Sequence, residues 1–357
     1  MRAALLRWRW LTLAATVLMA SGAVFAQTAP APTAATKPTT PSAPPAAATP
    51  AATSTAAATG ATATPAPPSP VGGIRNKLAA GDLLSAESVL EVHREKYGED
   101  GAWLGGLGWL ARGALLVGDL DKAGHYAADA RARCTERLAK GAVLAQDHDI
   151  EGALGCSIEV EAQLRERAHG RNPAARYVRD QLATWSAGST AFRSRLHKRL
   201  NQLTLVGSPA PELVVEDRLG AGAGEAPPTL AALRGKPVLL FLWAEWCGDC
   251  KAQSASLARV LQRHQADGLR CIAVTRYYDD GDSARAVEKL RADSVWTAVY
   301  SGVGQIPRVL STASMVTYGV SATPTFAFVD RKGIVRRYTP TRLTEPELER
   351  GVTAILK

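Results

Sequence analysis

Cysteine is scarce in this chain of 357 residues: there are five, and only Cys247 and Cys250 stand close together. No second Cys-x-x-Cys pair exists. The six histidines (His93, His125, His148, His169, His197 and His264) show no ligand spacing beside the first pair, so no metal is expected. Beyond the N-terminus no apolar run is long enough to cross a bilayer. There is no acidic or basic tail and no nucleic-acid motif. The formal charge of +9, from 42 Lys and Arg against 33 Asp and Glu, is spread along the chain, so nucleic acid is not an expected partner. Residues 27–70 lack bulky apolar side chains almost entirely; a segment of Ala, Pro and Thr cannot bury a core.

What is present begins with a secretory pattern. Arg2, Arg7 and Arg9 precede an apolar stretch at 11–24, and Val24-Phe25-Ala26 offers a small-residue cleavage site. The expectation is a signal peptide over 1–26 and a disordered, extended tether over 27–70. The mature protein would then be periplasmic or secreted, with an uncleaved inner-membrane anchor as the alternative. No cysteine follows the apolar stretch, which argues against a lipoprotein.

Residues 71–205 read as helical. Gly81-Asp82-Leu83-Leu84-Ser85-Ala86 is echoed by Gly118-Asp119-Leu120-Asp121-Lys122-Ala123, close to the tetratricopeptide period of about 34 residues. The segment resembles degenerate tetratricopeptide hairpins without their Trp-x-x-Leu-Gly signature, which implies a surface for a protein partner or a packing scaffold. Cys134 and Cys156 are equidistant from Ala145 in a helix–helix connection. A structural disulfide between them is one reading and two buried free thiols the other. Arg171, Arg176, Arg179, Arg193, Arg195, Lys198 and Arg199 make 171–199 basic, as a solvated helix face or, second to that, a docking surface for acidic partners or lipid head groups. Cys271, in an apolar strand pattern, reads as core.

The chemistry concentrates at Trp243-Ala244-Glu245-Trp246-Cys247-Gly248-Asp249-Cys250-Lys251, directly after an apolar run at 237–242 that reads as a buried strand. Two cysteines at the start of a helix can close a disulfide or open to a dithiol. The unpaired helix N–H groups and the helix dipole favour a thiolate on the first sulfur. A structural disulfide without turnover is the alternative.

From residue 206 onward further motifs follow in order. They are Val206-Gly207-Ser208-Pro209-Ala210-Pro211, Leu233-Arg234-Gly235-Lys236-Pro237, the cysteine segment, Tyr318-Gly319-Val320-Ser321-Ala322-Thr323-Pro324-Thr325 and Phe328-Val329-Asp330-Arg331-Lys332-Gly333. On these residues the C-terminal part, 206–357, resembles the thioredoxin-like fold of TlpA/ResA-type periplasmic thiol–disulfide proteins. The resemblance implies an α/β sandwich, exchange with protein thiol and disulfide substrates, electrons from an unidentified membrane donor, and no cofactor. It assigns Cys247 as the attacking sulfur, Cys250 as the resolving one, and Thr323 with a cis Pro324 as substrate-binding. Trp246 is expected to present an apolar surface to the substrate. Strands are expected at 213–215, 238–243, 271–275, 297–300, 325–329 and 334–338. Helices are expected at 247–264, 283–291 and 309–317, with a last one opened by a Thr344/Glu347 capping box.

The chain departs from its relatives in three places. Gly248-Asp249 replaces a common proline and puts a carboxylate near Cys247, which opposes the thiolate and points to a more reducing pair. Phe241 and Gln253 stand where thioredoxins proper and ResA-like members carry buried carboxylates. Thr325 replaces a glutamate usual in cytochrome-maturation members. Two other functions remain open: a helical-repeat adaptor with a vestigial redox domain, and a thiol peroxidase, although Glu245-Trp246-Cys247 lacks the Thr-x-x-Cys of peroxiredoxins.

Overall fold

The computed structural model describes residues 67–220, 228–278 and 281–357; the expected signal peptide and the expected tether, except residues 67–70, lie outside them. Among the described residues seven helices come first: α1 (Val71–Ala79), α2 (Leu83–Tyr97), α3 (Gly101–Val117), α4 (Leu120–Ala139), α5 (His148–His169), α6 (Arg171–Thr184) and α7 (Thr190–Thr204). The repeated Gly-Asp pair makes two of their junctions. Gly81 and Gly118 have φ of 75° and 88°, which favours glycine. Asp82 and Asp119 then cap α2 and α4 by accepting the backbone N–H groups of Ser85 and Lys122.

Helix α3 packs against α1, α2, α4 and α5, and glycine lets it approach them closely. A Cβ at Gly108 would stand 2.8 Å from the Cα of Ala153 on α5. Alanine normally gains about 1 kcal/mol over glycine inside a helix. Here the neighbour is backbone, which cannot swing aside, so overpacking of about 1–3 kcal/mol outweighs that gain. Gly108→Ala is therefore expected to destabilise the protein by about 1–2 kcal/mol. A urea midpoint at or above the parent's would contradict the close packing.

The Cys134–Cys156 disulfide does not form; both are free, buried thiols. Cys134 sits in the penultimate turn of α4 and its Sγ faces the Ile150 carbonyl oxygen at 3.7 Å. Cys156 lies in the third turn of α5 and accepts a hydrogen bond from the Arg195 guanidinium at 3.0 Å. The connection contains a short 3-10 turn at Leu144–Gln146, so the two helices do not begin and end symmetrically about Ala145. Equal sequence distance from the turn did not become equal height on the hairpin.

The rest forms a six-stranded sheet of β1 (Asp217–Arg218), β2 (Val238–Leu242), β3 (Arg270–Thr275), β4 (Arg308–Leu310), β5 (Thr325–Val329) and β6 (Val335–Thr339), in the order β1-β4-β3-β2-β5-β6. β2, β3 and β4 run parallel, and the other pairings are antiparallel. Central strand β2 is buried on both faces. Leu239 and Phe241 join one core with Leu257, Val260, Trp296 and Ile355, contributed by α8 (Gly248–Arg263), α9 (Asp282–Val299) and α11 (Glu345–Leu356). Val238, Leu240 and Leu242 join the other with Met315 of α10 (Thr312–Thr317). This is the expected thioredoxin-like sandwich, and the Thr344/Glu347 capping box opens α11 as expected.

Three expected elements differ. The strand expected at 297–300 is the last turn of α9 and its cap, because Ala292, Trp296 and Tyr300 recur every four residues on one buried face. The helix expected at 309–317 starts only at Thr312, since Val309 and Leu310 pair with Val274 and Thr275 in the sheet. The first strand falls at Asp217–Arg218 rather than 213–215, where β4 offers its free edge.

The helical and sheet parts pack as one compact unit. Leu205, at the end of α7, is buried in the sheet's second core. The Asn201 amide donates to the Thr317 carbonyl at 2.9 Å, and Gly319, with φ of 65°, leaves no room for a Cβ against the backbone of Lys198.

Candidate functional site

β2 ends at Leu242, and the turn that follows delivers Cys247 to the N-terminus of α8, where it is the N-cap. Its Sγ accepts the Cys250 backbone N–H at 3.0 Å and is joined to Cys250 in a disulfide with a Cα–Cα distance of 5.2 Å. Orphan N–H groups and the positive end of the α8 dipole thus converge on the first sulfur. Cys247 keeps 5% of its surface exposed and Cys250 none, so an incoming group meets Cys247 first. Asp249 lies exposed beside them, 3.8 Å from the Arg342 guanidinium. Both groups are solvated, so this pairing offsets only part of the carboxylate's repulsion of a thiolate.

The other side of the disulfide is the loop after α10. The Thr323–Pro324 peptide bond is cis, and the Thr323 carbonyl oxygen lies 3.3 Å from Cys247 Sγ. Thr325 is fully buried, and its hydroxyl donates to the Ala322 carbonyl at 2.7 Å, which closes the loop. The two tryptophans separate. Trp243 is fully buried against Trp296 and Tyr300, while Trp246 is 59% exposed and meets Tyr278 edge-on at 5.3 Å.

Neither position that carries a carboxylate in the resembling proteins has one here. Phe241 stacks on Phe326 with ring centroids 5.3 Å apart. Gln253 is fully buried and spans α8 and the approach to α11: its carbonyl accepts the Leu343 N–H at 2.9 Å and its amide donates to Ser256 at 2.6 Å. The buried carboxylate next to the motif is instead Glu245, which accepts the Trp246 N–H at 2.8 Å and lies 3.4 Å from Arg291.

Glu245, Arg276 and Tyr278 were not singled out from sequence as site residues. Arg276 and Tyr278 follow β3 at the same sheet edge where β2 presents Cys247; that adjacency of parallel strands was the available signal. The Arg276 guanidinium sits 4.3 Å over the Tyr278 ring, and burial pushes the Tyr278 hydroxyl up to about 12. Among the described residues no cluster of three or more His, Cys, Asp or Glu could hold a metal ion, and no helix is long and apolar enough to cross a membrane.

Residues 206–338 match the AhpC/TSA family. The chain is similar to the thiol:disulfide interchange protein DsbE of Escherichia coli K12, 29% identical over 132 residues that cover 37% of this chain and 63% of that protein. It is also similar to the thiol-disulfide oxidoreductase ResA of Geobacillus thermodenitrificans, 26% identical over 150 residues, covering 42% of this chain and 78% of ResA. A solved secreted disulfide oxidoreductase of Mycobacterium tuberculosis aligns at 22% identity, covering 35% of this chain and 85% of its own, with a TM-score of 0.28. The chain therefore spans less than two thirds of the length of DsbE. The C-terminal part of this chain is a thioredoxin-like domain that matches the AhpC/TSA family model over residues 206–338 and has homology to the DsbE and ResA thiol–disulfide oxidoreductases.

Proposed function

We propose that the chain is an exported thiol–disulfide oxidoreductase that reduces disulfides in protein substrates with its Cys247–Cys250 pair. The observation that carries this reading is the meeting of three features at one sulfur: a helix N-terminus, a partner cysteine and the cis-proline loop. In the reduced protein the Cys247 thiolate attacks a substrate disulfide. The substrate S–S bond breaks, a mixed disulfide forms, and the departing substrate sulfur takes a proton. Cys250 then loses its proton to water and attacks Cys247 Sγ, releasing the second substrate thiolate and leaving the pair oxidised. A membrane dithiol donor returns two electrons and two protons for the next cycle. Half-buried Thr323, preceded by exposed Ser321 and Ala322, supports binding of an extended substrate segment by strand addition. Export rests on the basic and apolar segments at the N-terminus with their small-residue cleavage site.

The direction of flow is tested by the reduction potential of the pair, read from tryptophan fluorescence in thiol buffers. A value more negative than about −230 mV is expected; one near −120 mV would make the protein an oxidant. The AhpC/TSA match supports a second reading, reduction of peroxide at Cys247. Ala244, three residues before Cys247, replaces the threonine of the peroxiredoxin pattern. Peroxide consumption with a dithiol donor would favour that reading, and its absence would end it.

A further inference from the structure

We infer that the helical region completes the substrate site and selects extended polypeptide segments carrying carboxylates beside their disulfide; this rests on the thiol–disulfide reading above. Trp246, Tyr278 and the loop from Val320 to Thr323 form one wall of a cleft of about 540 Å³, and α3, α5 and α7 form the other. The cleft therefore reaches the residue whose carbonyl lies against Cys247 Sγ. A substrate strand bound along Thr323 has its flanking residues directed into it.

The far wall is fixed rather than loosely apposed. Asn201 of α7 is hydrogen-bonded to Thr317, and the backbone at Lys198 lies directly against Gly319, one residue before the lining loop. Its chemistry is cationic. Arg112, Arg195 and Lys198 line it, and Arg276 faces them from the redox side. Two carboxylates face these groups. Glu151, on the lining, accepts both the backbone N–H and the hydroxyl of Ser189 at 2.6 Å. Glu159, behind it, takes Arg195 at 2.8 Å, Lys198 at 3.5 Å and Arg112 at 3.7 Å. Two carboxylates against these four cations leave a positive surplus at the mouth, and His148 on the same wall adds no negative charge. Partly desolvated cations of this kind attract carboxylates, exclude basic segments and speed encounter in a salt-dependent way. The stretch at 171–199, basic in sequence, thereby divides: Arg195 and Lys198 turn toward the redox site.

The test uses the unmodified protein and three peptides with the same disulfide ring, flanked by paired Glu, Gln or Lys. Stopped-flow tryptophan fluorescence reads the rate at which each oxidises the reduced pair. The Glu peptide is expected to react about tenfold faster than the Gln peptide and the Lys peptide slower still, the spread collapsing at high ionic strength. In Lys198→Glu or Arg112→Glu the order of Glu and Lys peptides should reverse. Equal rates for all three peptides, or no reaction with any beside normal exchange with dithiothreitol, would overturn the cleft and leave the redox reading intact. A pair that exchanges with neither peptides nor dithiothreitol would overturn both. The peptide series on the unmodified protein decides the matter even where a variant fails to fold.

Discussion

Cys247→Ser is expected to bring disulfide exchange down to the uncatalysed rate, while Cys250→Ser is expected to attack once and stall. The difference follows from placement. Cys247 caps α8 and presents the sulfur that has both residual exposure and the helix N–H groups behind it. Serine keeps the cap, since a hydroxyl oxygen accepts the Cys250 N–H as well as sulfur does, but it supplies no thiolate. Cys250 is fully buried one turn along, in reach of Cys247 and out of reach of a substrate. Its loss leaves the first attack possible and the second impossible. Mass spectrometry of Cys250→Ser after incubation with an oxidised protein should find a covalent adduct at Cys247. An adduct at Cys250 in Cys247→Ser would invert the assigned roles. Undiminished biological function in Cys247→Ser would favour the adaptor reading instead.

The second large effect lies away from the sulfur. Glu159 is almost wholly enclosed, and burial by itself would raise its carboxyl. The Arg195 guanidinium, helped by Lys198 and Arg112, overcomes this and holds it down at about 2. Glu159→Gln keeps the shape and removes the charge, leaving Arg195 buried with its main counter-ion gone. We expect a loss of about 3–5 kcal/mol by denaturant titration at neutral pH. A group with a lowered folded-state pKa stabilises above its ordinary value and ceases to do so as pH falls through the lowered one. The parent should therefore lose stability between about 4.5 and about 2, and this part of the acid dependence should flatten in the variant. A variant within about 1 kcal/mol of the parent would mean that the cluster is solvated and worth little.

Much of this was legible in the chain because it depends on short spacings. The Cys-x-x-Cys pair, the buried run before it, the capping box at Thr344 and the Gly-Asp junctions are local patterns, and each took its expected form. The misplaced elements share one cause. At 297–300 a β-branched and aromatic run read as a strand, yet Trp296 and Tyr300 belong to a helical stripe whose target, Trp243, is more than fifty residues away. The Cys134–Cys156 pairing failed because the shape of the turn between α4 and α5 sets the register of the hairpin, and residue counting does not contain that shape.

The sequence by itself determined the two kinds of architecture and the place of the cysteine pair at a strand-to-helix turn. Those follow from periodicity, capping and covalent spacing over a few residues. That Pro324 would meet the pair was implied only by the resemblance to TlpA/ResA-type proteins. The tertiary structure alone decided which tryptophan is core and which is rim, that the Glu245 carboxylate is buried against Arg291, and that Lys198 and Arg112 face the same cleft as Trp246. Those are contacts between segments tens to more than a hundred residues apart, fixed only when the helices dock on the sheet, and side-chain chemistry read in chain order does not report them.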